Sequence, residues 1–161
     1  MKLREAAPAL ALGFVLILVI QHFTWTGPGG SLLFTLTFWA SLIQGAIALV
    51  AVCELTSARW IAQVRAPLLR LRPLLLLFAL LFPALSSHLS IYPWVQHPTF
   101  WLRGDFFILR NSLLLLLCWL AAEPLAKRCR NRDASASSYA ILYLFVFVTT
   151  QSFVAFDWVM T

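Results

Sequence analysis

Apolar runs long enough to cross a bilayer recur along this chain, and short basic segments separate them. The runs cover residues 9–25, 32–53, 71–87, 106–125 and 139–160. A hydrocarbon core ~30 Å thick needs about 20 helical residues to span it. Lipid offers no hydrogen-bond partner to a backbone, so a spanning segment must be a helix or part of a closed barrel. Barrel strands alternate apolar and polar residues, which Leu74-Leu75-Leu76-Leu77 and the leucines at 113–117 do not. Composition points the same way. Hydrophobic residues make up 61% of the 161 and charged residues 11%, where a soluble domain carries about 25% charged. The expected fold is all-α, an integral membrane helical bundle with about five transmembrane helices.

The connections fit that reading. Gly27-Pro28-Gly29-Gly30 is a turn, 59–70 a basic loop, and 127–138 basic, then small and polar. Residues 88–104 hold Tyr92, Trp94, Phe100 and Trp101, an aromatic density suited to the headgroup region. Pro83 is expected to kink the third helix. Lys2, Arg4, Arg59, Arg65, Arg70, Arg72, Lys127, Arg128, Arg130 and Arg132 all fall on one side, ten of the 12 basic residues. The positive-inside rule puts that side, and the N-terminus, in the cytoplasm. In a soluble protein a net charge of +6 would suggest nucleic acid. Here the charges lie between apolar runs and read as topology signals and anionic-lipid contacts. The first run resembles a signal peptide, but no small-x-small cleavage site follows it, so it reads as a retained helix.

Ionisable groups within a span are costly and are candidate functional groups by default. Glu54 and Glu123 lie at cytoplasmic helix ends, near Arg59 and Lys127. Lys127 follows Glu123 by four residues, the spacing of a helical ion pair. On the outer side His88 ends the third helix, Asp105 and Arg110 open the fourth, and Asp157 sits near the end of the fifth. Arg110 matches Asp157 in depth, and a structural bridge between them is as good a reading as a proton-accepting carboxylate. Gln44, mid-span, is expected to bond a neighbouring helix. His22 and His88 have no deeper histidine to face, which argues against a haem. Cys53, Cys118 and Cys129 share no metal-ligand spacing. P-loop, GxSxG and HExxH motifs are absent from the sequence.

Several stretches carry a family resemblance. Residues 153–160, Phe-Val-Ala-Phe-Asp-Trp-Val-Met, resemble the "SxDWVMS" signature of the quinone-binding second membrane subunit of alternative complex III, in the polysulfide-reductase membrane-subunit superfamily. Trp101-Leu102 followed by Phe106-Phe107-Ile108-Leu109-Arg110 resembles its "YLNxxFFxxR". His88-Leu89 with Tyr92-Pro93-Trp94 resembles "HLYxW", and Thr56-Ser57-Ala58-Arg59-Trp60 resembles "TGARW". Gly104-Asp105 departs from the family pattern. The likeness runs from about residue 35 to the last and stops within the signature. The expectation is therefore a truncated, N-terminal half of a ten-helix subunit, not active alone.

The resemblance implies a subunit of a quinol:cytochrome c oxidoreductase in the bacterial inner membrane. Its substrate would be a quinone or quinol (menaquinone or ubiquinone). Electrons would pass to iron–sulfur and haem centres on other subunits, beside a homologous membrane subunit, with no metal, haem or iron–sulfur centre in this chain. On that reading Asp157, His88 and Asp105 handle protons, and Arg110, Tyr92, Trp94 and Trp158 form the quinone surroundings. The competing reading is a non-redox membrane scaffold. A transporter is disfavoured, because charge collects at helix ends rather than at the midplane.

Overall fold

The computed structural model describes residues 30–97 and 99–160, and all side chains within them except those of residues 30–32, 87, 88, 91, 159 and 160. The expected span 9–25 and His22 lie outside the described residues. The elements are α1 (Gly30–Leu55), α2 (Ala62–Leu69), α3 (Pro73–Leu81), 3-10 segments at Phe82–Ile91 and Pro93–Gln96, α4 (Gly104–Asn131), α5 (Ala136–Val154) and a π turn at Ala155–Met160. No strand occurs among the described residues. Four stretches, Leu33–Leu55, Ala62–Ser86, Gly104–Asn131 and Ala136–Trp158, are long and apolar enough to cross a membrane. At 1.5 Å per residue each reaches roughly 35–42 Å. The sequence runs 32–53, 71–87, 106–125 and 139–160 fall on these four. A fifth is not among the described residues.

The packing faces follow helical spacing. α4 buries Phe107, Asn111, Leu115, Cys118, Ala122 and Leu125 in steps of three or four, and α5 buries Ala136, Ala140, Tyr143, Thr150 and Val154. α5 lies between α1 and α4, and α4 between α3 and α5. Small residues at these faces, Ala40, Ala48, Ala51, Ala122 and Ala140, let helices approach closely. Mid-bundle, one polar layer ties three helices together. Tyr143 Oη donates to Gln44 O at 3.0 Å, and Gln151 Nε2 donates to Gln44 Oε1 at 3.1 Å. Cys118 Sγ lies 3.3 Å from Thr150 Oγ1. Gln44 thus bonds a neighbouring helix, as its mid-span position requires.

Three local features differ from the sequence expectations or sharpen them. The basic stretch 59–70 is not a loop throughout. Residues 62–69 form α2, held because Ile61 and Leu69, about two turns apart, are both buried. The α-helical ladder of α3 ends at Leu81 and a 3-10 segment begins at Phe82. Pro83 lies one residue further on and lacks an N–H to continue the ladder. The ion pairs also differ. Glu123 accepts from Arg72 Nε at 2.8 Å across helices, and Glu54 Oε2 lies 2.8 Å from Arg65 Nη2. The expected partners Lys127 and Arg59 make no ion pair among the described residues. Interhelical contact brings an arginine closer than the local spacing rule does.

α1 and α4 end alike. Ser57 and Arg132 are left-handed, both at φ 53°. Ala58 N–H donates to Cys53 O at 2.9 Å, and Asp133 N–H to Arg128 O at 3.1 Å, closing the six-residue loops of Schellman caps. After the second cap Asp133 turns the chain into α5. Its Oδ1 accepts from Ser135 N–H at 3.0 Å, and its carboxylate also pairs with Arg128. These bonds, the Ser135 amide foremost, lower the Asp133 pKa to about 2. A left-handed non-glycine residue costs roughly 1–2 kcal/mol. Ser57→Gly is therefore expected to stabilise the chain by about 1 kcal/mol, read as a rise in the midpoint of unfolding in mixed micelles. An unchanged or lower midpoint would contradict the strained-cap account.

Candidate functional site

The site lies at the end of the bundle away from the arginine-rich connections. It is assembled by the first turns of α4, the π turn after α5, and the segments 82–97 and 99–101. Arg110 Nη2 donates to Asp157 Oδ2 at 2.5 Å and Nε donates to the same oxygen at 3.1 Å. Asn111 Nδ2 is a third donor to Oδ2, at 3.1 Å. Arg110 Nη1 reaches the Trp101 carbonyl at 3.1 Å. Its guanidinium lies 4.2 Å from the centre of the Trp101 ring, a cation–π geometry. The side chains of Arg110 and Asp157 are 9% and 2% exposed, so the pair is sheltered on every side. A buried charge needs such partners to stay charged.

Two successive residues of the π turn, Asp157 and Trp158, are both buried, and both bond the Asn111 side chain of α4. Trp158 Nε1 donates to Asn111 Oδ1 at 2.8 Å, and Tyr92 Oη donates to the Trp158 carbonyl at 3.3 Å. The Trp158 ring stacks on Phe82 with centroids 4.7 Å apart. Tyr92 stacks on Trp94 at 5.2 Å, and both rings meet Phe107. Burial, with the nearby Asp157 carboxylate second, raises the Tyr92 pKa, so the phenol stays a neutral donor. Trp94 Nε1 is buried and has no acceptor among the described residues.

The expected residues do not all converge. Arg110, Asp157, Tyr92, Trp94 and Trp158 form one cluster. Asp105 does not join it. Its side chain is 91% exposed, with Arg103 3.7 Å away, because it leaves α4 on a different face from Asn111. Asp105 instead borders a groove of about 390 Å³ with Ser86, Leu89, Ile108 and Ser112. The His88 side chain lies outside the described residues. Sequence reasoning missed Asn111, Phe82 and Phe107. Asn111 follows Arg110 directly within an apolar run and stands four residues after Phe107, a signal that it shares the buried face. No group of three or more potential metal ligands occurs among the described residues.

Comparison with protein-family models, curated proteins and solved structures gives no match. Chemically, the cluster couples a sheltered carboxylate to two cationic or amide donors and a wall of stacked rings. One indole N–H in that wall still needs an acceptor.

Proposed function

We propose that the chain is a membrane-spanning subunit of a quinol:electron-acceptor oxidoreductase, with its quinone and proton chemistry at the Arg110–Asp157 end. The membrane part is supported by what the helices leave uncovered. Leu109, Leu113, Leu117 and Leu120 form an exposed stripe on α4, and Ile141, Phe145 and Val148 one on α5. Such stripes are stable against acyl chains and unfavourable against water. Apart from Arg103, the described basic residues of the connections gather at the opposite end from Asp157, which fits a cytoplasmic face there and a bacterial inner membrane.

One arrangement carries the quinone reading: a buried carboxylate beside an aromatic wall whose Trp94 Nε1 lacks an acceptor. A buried N–H without a partner is rare, and a quinone carbonyl is an acceptor on a flat ring that stacks on indole and phenol. Loss of two electrons from a quinol releases two protons. Asp157 would accept one proton and the water at this end of the bundle the other, while Arg110 and Asn111 hold the carboxylate in place. The electrons would leave to iron–sulfur or haem centres on partner subunits, beside a homologous membrane subunit. The left-handed Ser57 adds support, since the "TGARW" pattern has glycine at that position, the residue a left-handed cap favours.

Tryptophan quenching tests the reading. A short-chain quinone added to the purified chain in micelles is expected to quench a saturable fraction of the fluorescence. That fraction should disappear in Trp94→Phe/Trp158→Phe and persist in Trp39→Phe/Trp60→Phe. Quenching that rises linearly with quinone and is equal in all variants would mean partition into the micelle without a site.

A further inference from the structure

The opposite end of the bundle holds a second concavity that the quinone reading does not use. It has a volume of about 380 Å³ and lies where the α1 cap, the start of α2 and the α4 cap meet. Arg59, Arg65 and Arg132 line it, with Glu54 the single acidic residue and the Ser57 hydroxyl beside them. The two left-handed caps at Ser57 and Arg132 bring sequence-distant arginines to one rim. Arg65 lies against Glu54 through Nη2, but its buried Nε has no acceptor. Arg59 and Arg132 make no ion pair among the described residues. Three cations against one carboxylate leave the cavity strongly positive.

We infer that this pocket binds a phosphate-bearing anion, the headgroup of an anionic phospholipid or a free phosphate compound. Arginine is suited to the task, because its planar fork meets phosphate oxygens through paired N–H bonds. The buried Arg65 Nε supplies a donor that a phosphate oxygen satisfies and that Glu54 does not. Apolar residues border the same end: Val52, Leu55 and Trp60 are all exposed, and Trp60 is a residue type that settles at headgroup depth. Basic pockets between helices at the cytoplasmic face are a known form of headgroup site. The inference rests on the membrane reading, but not on the quinone reading.

The full chain, purified in detergent, is titrated with phosphatidylglycerol, with phosphatidylcholine of the same chains, and with inorganic phosphate, and the bound fraction is read by native mass spectrometry. Phosphatidylglycerol is expected to bind in preference to phosphatidylcholine. Arg59→Gln/Arg132→Gln should weaken that binding roughly 30-fold, two charges at about fivefold each. Ala62→Glu, which adds a carboxylate at the rim, should weaken it without removing any arginine. Arg70→Gln/Arg130→Gln removes the same charge outside the pocket and should leave binding unchanged. Phosphate binding as tightly as the lipid, with the same variant dependence, also supports the pocket and assigns it to a free phosphate compound. Equal loss in both arginine pairs, or no preference for either anion, overturns the inference. Extraction of the chain from membranes by alkaline carbonate overturns the membrane reading and the pocket with it. Resistance to extraction without anion preference overturns the pocket alone.

Discussion

Arg110→Ala is expected to destabilise the chain by about 3–5 kcal/mol, whereas the joint replacement Arg110→Met/Asp157→Leu should be close to neutral or stabilising. Removal of Arg110 takes two donated N–H groups and the adjacent positive charge from the 2%-exposed Asp157 carboxylate. It also removes the contact over Trp101 at 4.2 Å and the bond to the Trp101 carbonyl. The joint variant removes both charges and both desolvation costs, and fills similar volume with apolar groups. Unfolding of each variant in mixed micelles, followed by fluorescence, gives the coupling between the two positions. A single-variant loss below about 1 kcal/mol, the level of an exposed pair, would show that the pair is open to water.

If the proposed function holds, quinol oxidation in the assembled complex falls by about 10²–10⁴-fold in Asp157→Asn, the range for loss of a general base. Asparagine keeps an oxygen to accept from Arg110 and Asn111, so the geometry changes little while the proton acceptor is lost. The substitution leaves Arg110 without its counter-charge, so assembly and unfolding must be measured alongside turnover. The joint Arg110→Met/Asp157→Leu variant separates the two effects. It should assemble as a stable chain and yet stay as slow as Asp157→Asn. Parental turnover in a normally assembled Asp157→Asn complex would place the proton acceptor elsewhere.

What the sequence could reveal depended on the range of each interaction. Apolar runs are a local property, and each of the four described spans overlaps the run that hydropathy marks, although Ala62–Ser86 begins well before the run 71–87 because α2 precedes α3. Depth is nearly as legible, because position along a helix fixes it: Arg110 and Asp157 were matched by depth, and they meet. The face of a helix is harder to read. Asp105 has the right depth but the wrong side of α4, and stands exposed. The π turn could not be read at all. It carries Asp157 and Trp158, and no residue type specifies it. Pairing across helices escaped the sequence for a similar reason. Glu123 has Lys127 at an ideal local spacing, yet bonds Arg72, a partner set by how α3 packs on α4. Ser57 carries no glycine to mark its left-handed turn, so the α1 cap became visible only in the backbone.

The most direct measurement of the central claim is the place where a quinone touches the chain. An azidoquinone is photolysed with the complex, or with the purified chain in micelles, and the labelled peptides are sequenced. The account predicts labelling of peptides containing Tyr92 and Trp94 or Asp157 and Trp158, suppressed by excess unmodified quinone. Labelling confined to exposed α1 residues such as Phe34 or Leu49, unaffected by competitor, would contradict it and favour a non-redox membrane scaffold.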